Sequence, residues 1–243
     1  MAIEINQQFP LALKLDSSAT FANFWEHNDA QLISELKDLA MQDSGAWIYL
    51  TGGTGSGVSH LLQACSALAN QHNYSSMVLS LAELMAAGES SGTEGLAGFF
   101  DSLDDFDLLC IDDIELLVGQ PFWQEQLFYL LEKLRNKANS RLLIGGHQLA
   151  SQLDIELKDL KSRLKWATGY QLKTLDDSQK ILLLQFKAKA LGLTMSDEVA
   201  RFLVNRCSRN IADLLNVLNK LDKLALSSGR RLTVPWIKSV LDL

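Results

Sequence analysis

The chain has 243 residues, a formal net charge of −7 and three cysteines. This length allows one domain of ordinary size and a smaller second one, and 47% hydrophobic with 21% charged residues excludes a disordered chain. The negative charge disfavours broad, nonspecific binding to nucleic-acid phosphates, because that binding depends on Lys and Arg displacing counterions.

The cysteines and the chain start bear on the compartment. Cys65, Cys110 and Cys207 are far apart and form no C-x-x-C pair, so we expect reduced core thiols. The start MAIEINQQFP lacks a secretory signal, and no run of about 18 uncharged apolar residues indicates a membrane span. We therefore expect a cytoplasmic protein with no membrane partner.

The N-terminal part predicts a tail followed by a helix. Residues 1–19 are predicted to be an extended tail, because the apolar residues of QQFPLALKL lack helical spacing and include Pro10. The aromatic run TFANFW starts at Thr20, and Asp29 is placed to cap the first helix. The residues predicted to share the buried face of that helix are Leu32, Ile33, Leu36, Leu39 and Ala40.

The central part alternates strand and helix patterns. AWIYL (46–50), SSMVLSL, FDLLCI (106–111) and RLLIGG (141–146) read as strands, and PFWQEQLFYLLEKLRNKA reads as an amphipathic helix. The Gly-, Ser- and Glu-rich stretch 87–95 predicts a mobile loop. Such alternation favours an α/β fold with a parallel sheet between helices. We place this domain at residues 20–175 and an all-helical domain at residues 176–243.

A glycine-rich loop follows the first central strand and opens a helix. Successive backbone N–H groups there, together with the helix N-terminus, can bind phosphate. The pattern G-x-x-x-x-G-K-[ST] fits, except that Val58 replaces the lysine, and the alternative is a flexible turn. The candidate nucleotide-binding residues are Gly52, Gly53, Thr54, Gly55, Ser56, Gly57, Val58, Ser59 and His60. His60 is open to two readings, a structural polar residue or a catalytic base.

Two aspartates end the strand FDLLCI. Asp112 and Ser59 are candidate Mg²⁺ ligands, and Asp113 is a candidate for orienting an attacking water. The alternative is that both aspartates only cap a strand terminus. The order of the two motifs along the chain favours the site.

These segments, with TFANFW and LKSRLKWATGYQLKTLDD, resemble the AAA+ core of the bacterial replication initiator DnaA. The chain stops at Leu243, so we expect a core without the helix-turn-helix domain that reads DNA in the initiator. It is similar to the Hda family of DnaA regulators. The resemblance implies an AAA+ P-loop core with a helical lid and no direct specific DNA binding. It also implies that Phe24 and Trp25 cover the nucleotide base, the alternative being ordinary core aromatics.

The same resemblance implies two partners. A hydrophobic peptide of the tail is expected to bind the replicative sliding clamp, the alternative being packing on this protein's own surface; its residues are Gln8, Phe9, Pro10, Leu11, Ala12 and Leu13. Arg163 falls at the arginine-finger position, which acts on ATP-bound DnaA; the alternative is a solvated arginine on a helix face. The head-to-tail AAA+ interface leaves a homo-oligomer open.

Three positions depart from the AAA+ pattern and remove charge from the phosphate site: Val58, His147 and Ala212. Arg209 is a candidate replacement for the cation missing at Ala212. We therefore expect a bound nucleoside diphosphate, ADP in the simplest case, with or without Mg²⁺, and no ATP turnover in cis. An autonomous P-loop ATPase and a helicase-loader or DNA-binding initiator paralogue are the alternative functions.

Overall fold

The computed structural model describes residues 19–26, 29–42, 45–91, 97–207, 210–228 and 232–241. The expected clamp-binding peptide and Arg209 lie outside these residues. Among the described residues, no helix combines the length and the apolar composition that crossing a bilayer requires.

A five-stranded parallel sheet forms the centre of the molecule, in the order β2-β3-β4-β1-β5. The strands are β1 (Trp47–Thr51), β2 (Ser76–Ser80), β3 (Leu108–Asp112), β4 (Arg141–Gly146) and β5 (Thr168–Gln171). The predicted α/β class with a parallel sheet is confirmed. Every residue of β3 and β4 is buried, which explains why these two strands read as continuous apolar runs.

Helices cover both faces of the sheet. The helices of this domain are α1 (Ala30–Met41), α2 (Val58–Gln71), α3 (Leu81–Ser91), α4 (Pro121–Asn136) and α5 (Lys158–Leu164). Alternate strand residues supply two cores: Leu109 and Ile111 face α4, whereas Leu108 and Cys110 face α1 and α2. The expected buried face of α1 is confirmed, although Asp29 at its N-cap makes no capping hydrogen bond.

Two local predictions need correction. Residues 87–91 are not loop but the last part of α3, because LAELMAAGESS consists largely of residues that tolerate or favour a helix. Strand β5 escaped prediction, since TGYQ is largely exposed and shows no apolar run. Among the described strands it pairs with β1 and forms one edge of the sheet.

The C-terminal part is helical, with α6 (Asp177–Ala190), α7 (Asp197–Arg206), α8 (Ile211–Ser228) and α9 (Val234–Leu241). These helices share a core of their own, in which Leu184, Leu203 and Leu221 are almost fully buried. Cys65 and Cys110 are buried free thiols, as expected, whereas Cys207 is only partly buried.

Arg141 is a buried cation that the sequence analysis did not single out, and it is 2% exposed. Its Nη1 donates to the carbonyls of Leu39, Ala40 and Gln42 at 3.1, 3.2 and 3.1 Å. Leu39 and Ala40 carry two of the last carbonyls of α1, which have no partner within the helix, and Gln42 is its C-cap residue. The Arg141 side chain therefore caps α1 and links it to the start of β4.

Candidate functional site

The glycine-rich loop leaves β1 at the carboxyl end of the sheet and wraps around the start of α2. Gly52 N–H donates to Gly146 O at 3.2 Å, and Ser56 N–H donates to Gly53 O at 2.9 Å. Gly57 has φ of 100°, and a Cβ there would lie 2.7 Å from Phe24 Cε2. Only glycine meets both constraints, so this position fixes the path of the loop.

Val58, in the position of the phosphate-loop lysine, is part of the core. Its side chain is 8% exposed, and a Cβ on Gly145 would come within 2.8 Å of its Cγ1. The missing side chain of Gly145 thus makes room for Val58 against β4. The first residue of α2 contributes packing and no positive charge.

The carboxyl end of β3 carries the two aspartates. Asp112 is 9% exposed, and its Oδ1 accepts from the Asp113 N–H at 3.0 Å. Asp113 has φ of 62°, and its Oδ2 accepts from Ser80 Oγ at 3.3 Å. Burial raises the pKa of the Asp113 carboxyl, and the neighbouring Asp112 and Glu115 charges add to the shift.

Glu115 follows the two aspartates and contacts the residue after β4. The sequence did not identify it as a site residue. Its carboxylate contacts His147 Nδ1 and accepts from the His147 N–H at 3.2 Å. The same charge contributes, after burial, to raising the pKa of Tyr49. The acidic run IDDIELL held a signal for this residue, but only the fold shows that its partner is His147.

Three cavities adjoin the loop; two of them contain most of the predicted site residues, and Thr54 lines the third. The first, which we call the loop pocket, has a volume of about 340 Å³. It is lined by Gly53, Gly55, Ser56, Gly57, Val58, Ser59, His60, Asp112, Gly146, His147, Ala212 and Leu215. The candidate metal ligands Ser59 and Asp112 thus face the same cavity, whereas Asp113 does not line it. Among the described residues, no group of three or more His, Cys, Asp or Glu side chains is arranged to hold a metal ion.

The second cavity, which we call the apolar pocket, has a volume of about 100 Å³. It is lined by Phe24, Trp25, Asp29, Gly55, Ser56, Gly57, His60, Leu172, Lys173, Leu175, Leu183, Lys187, Ile211 and Leu215. The two pockets share Gly55, Ser56, Gly57, His60 and Leu215. The cavity at the N-terminus of α2 therefore continues into a second one that has Phe24 and Trp25 in its wall.

The segment before α1 is held against this cleft. His60 Nε2 lies 3.0 Å from Thr20 O, and its ring packs on Phe24 with centroids 5.7 Å apart. Lys187 of α6 donates to Asn23 O at 2.8 Å. These contacts favour the structural reading of His60, and they identify Lys187 as a cleft residue that sequence reasoning missed.

The start of α8 lies over the glycine-rich loop. A Cβ on Gly55, whose φ is 78°, would meet Ala212 N at 2.9 Å. Asn210 Oδ1 accepts from the Ala212 N–H at 2.8 Å and so satisfies one free donor of the helix start. Ala212 therefore contributes its backbone and a methyl group to the wall of the loop pocket, and no positive charge.

Arg163 lies on a different surface, between α4 and α5, and lines neither pocket. Its Nε donates to Glu132 Oε1 at 2.6 Å. Its guanidinium lies over the ring of Phe128 at 4.8 Å and that of Trp166 at 5.1 Å. The fold therefore separates Arg163 from the residues of this chain's own cleft.

Residues 15–171 match the family profile of the bacterial DnaA ATPase domain. The chain belongs to the DnaA family. Residues 177–241 match the lid domain of Hda, so this DnaA-related AAA+ chain carries an Hda-type lid.

Solved structures show the same fold at low sequence identity. Domain III of Thermotoga maritima DnaA superimposes with a TM-score of 0.76 at 19% identity, over 92% of this chain and 95% of that one. AMPPCP-bound DnaA from Aquifex aeolicus gives 0.72 at 23% identity, over 85% of this chain and 65% of that one. The Thermotoga maritima RuvB Holliday junction motor gives 0.67 at 14% identity, over 94% and 73%.

Proposed function

We propose that this DnaA-family chain is a negative regulator of replication initiation that binds a nucleoside diphosphate and stimulates hydrolysis of DnaA-bound ATP. The sliding clamp, bound through Gln8–Leu13, and ATP-bound DnaA are its proposed partners. Arg163 acts in trans as an arginine finger. The observation that carries the proposal is that an arginine stands on a separate surface, while the chain's own phosphate-loop lysine position holds buried Val58.

The cleft residues fit a nucleotide in shape and polarity. Ser56 Oγ is buried in the loop without a hydrogen-bond partner among the described residues, and such a group is costly unless a ligand or water satisfies it. Gly55 and Gly57 keep the loop backbone free of side chains on the path to the pockets. The loop N–H groups would hold the phosphates, and Phe24 and Trp25 would line the base position.

The phosphates of the proposed nucleotide would supply oxygen ligands for Mg²⁺, and Ser59 and Asp112 would supply further ones. Hydrolytic P-loop sites place lysine or arginine side chains beside the phosphates. In this cleft the corresponding positions hold Val58, His147 and Ala212. ADP is the simplest ligand of a site that holds phosphates by backbone donors. The cleft therefore supports binding better than turnover.

Arg163 would act on the ATP of a neighbouring DnaA molecule. Its guanidinium carries positive charge that stabilises the charge developing on the transferred phosphoryl group. DnaA itself would position the phosphates and the attacking water. In this proposal DnaA provides the ATP-hydrolysing site and this chain provides the arginine finger. The reaction takes place in the cytoplasm.

Hydrolysis of DnaA-bound ATP tests the proposal, measured with the clamp loaded on DNA. We expect wild type to accelerate it and Arg163→Ala to reduce that acceleration by roughly 10³-fold or more. Gln8→Ala should weaken the effect by removing the clamp contact. Arg135→Ala is the matched control, because Arg135 contacts the same Trp166 ring but is not the proposed finger.

Wild type that leaves hydrolysis unchanged contradicts the proposal. Steady-state phosphate release by the isolated protein separates it from the autonomous ATPase, since substantial release would favour that alternative. Salt-sensitive association with DNA in the absence of the clamp would favour the DNA-binding paralogue.

A further inference from the structure

The Arg163 side chain is held by an ion pair between two helices. Its Nε lies 2.6 Å from Glu132 Oε1, with the Arg163 side chain 18% and the Glu132 side chain 32% exposed. Arg163 belongs to α5 and Glu132 to α4. The contact thus fixes the guanidinium against the neighbouring helix.

Two aromatic rings complete the restraint. The guanidinium lies 4.8 Å from the centroid of the Phe128 ring and 5.1 Å from that of Trp166. Trp166 is 45% exposed and also carries the Arg135 guanidinium at 4.5 Å. Such cation–π contacts stabilise a cation in place, so Arg163 rests in a cradle formed by a carboxylate and two rings.

The Glu132 carboxylate neutralises the positive charge of the Arg163 guanidinium, which an arginine finger needs for its action. A hydrogen bond from Arg163 lowers the pKa of the Glu132 carboxyl, so Glu132 is ionised at neutral pH. Glu132 occupies Nε of the guanidinium, so a phosphate group that binds through Nε must replace this carboxylate, and one that approaches Nη1 or Nη2 must compete with its charge. A polyphosphate carries several negative charges and Glu132 carries one, so at short range the polyphosphate attracts the guanidinium more strongly.

We propose that Glu132 is a positioning residue that latches Arg163 onto α4, and that only the polyphosphate of a correctly docked partner releases it. The inference rests on the proposed role of Arg163 in trans. The latch withholds the finger from weakly charged or badly placed ligands. Phe128 and Trp166 keep the released side chain close to the same surface.

Glu132→Gln tests the latch because it removes the charge and keeps the shape and an acceptor. Glu125→Gln is the matched control: Glu125 is exposed two turns earlier on α4 and has no ion pair in the described part of the chain. We expect Glu132→Gln to lower the concentration of this chain needed for half-maximal stimulation by roughly threefold to fivefold. The maximal rate should stay within about twofold, because the finger itself is intact.

A partner-free measurement separates the latch from the proposed function. In ¹⁵N-arginine NMR, the Arg163 Nε–H signal, assigned by its loss in Arg163→Lys, should exchange slowly with water. Glu132→Gln should shift this signal and speed its exchange, whereas Glu125→Gln should not.

Three outcomes overturn the inference. In the first, the Nε–H signal is insensitive to Glu132→Gln, so no latch exists in solution. In the second, the signal responds but the half-maximal concentration is unchanged or the maximal rate falls, so Glu132 does not restrain the finger. In the third, wild type stimulates no hydrolysis; the proposed function then fails, and the role of the latch fails with it.

Discussion

At the residue scale, Arg141 shows how one buried side chain joins distant elements. Replacing it by Met leaves the carbonyls at the end of α1 without their donor and also removes the donor to Asp107 O, 3.0 Å from Arg141 Nε. We expect Arg141→Met to lower the free energy of unfolding by about 3 kcal/mol or more, since each buried unsatisfied acceptor is costly. Urea unfolding followed by circular dichroism measures this loss.

The control for Arg141 is Arg135→Met, which removes the same charge from an exposed position on α4. Its guanidinium contacts the exposed Trp166 ring, so its replacement should cost no more than about 1 kcal/mol. Equal decreases in the free energy of unfolding in the two variants would show that capping of α1 by Arg141 does not stabilise the protein.

At the element scale, α6 begins with a reciprocal cap. Asp176 Oδ1 accepts from the Gln179 N–H at 2.8 Å, and Gln179 Oε1 accepts from the Asp176 N–H at 2.9 Å. We expect Asp176→Ala to destabilise α6 by about 1 kcal/mol. Faster hydrogen exchange of the α6 amides is the measurement.

The neighbouring Asp177→Ala is the control for the cap. Asp177 is exposed and pairs at 3.1 Å with Lys180, three residues later, whose side chain is 12% exposed. Its loss should cost only about 0.5 kcal/mol or less. The cap interpretation fails when Asp177→Ala speeds exchange as much as Asp176→Ala does.

At the scale of the whole molecule, the apolar pocket is built from three separate parts of the chain. Phe24 comes from the segment before α1, Gly57 from the loop, and Lys187 from the helical domain. A ligand bound there would hold the helical domain and the α/β domain together. Binding and stability should therefore be linked.

ADP at a concentration of about 100 times its dissociation constant should raise the free energy of unfolding by about 2.7 kcal/mol. Lys187→Met should reduce this ligand-dependent gain, because it removes the donor to Asn23 O. Lys189→Met, exposed on the same helix, should leave the gain intact. Thermal unfolding with and without ADP measures both, and no shift with any nucleotide would contradict the binding proposal.

The sequence predicted much of the α/β domain for a simple reason. Strands β3 and β4 are buried on both faces, so their apolar runs identify them without tertiary information. Strand β5 could not be found this way, because an exposed edge strand has no such run. The same limit applied at the cleft: the spacing of Gly52, Gly57 and Ser59 located the loop, but Glu115 gave no sign of its contact with His147.

By itself, the sequence determined the fold class, the position of the glycine-rich loop and the presence of Val58 where the loop pattern has lysine. These features depend on residue type and spacing along the chain, which local backbone geometry and burial translate directly into structure. Only the tertiary structure decided that Val58 packs against Gly145, that Lys187 reaches Asn23, and that Arg163 is paired with Glu132. Each of these contacts joins residues far apart in sequence, and their meeting depends on how the elements pack rather than on any local pattern.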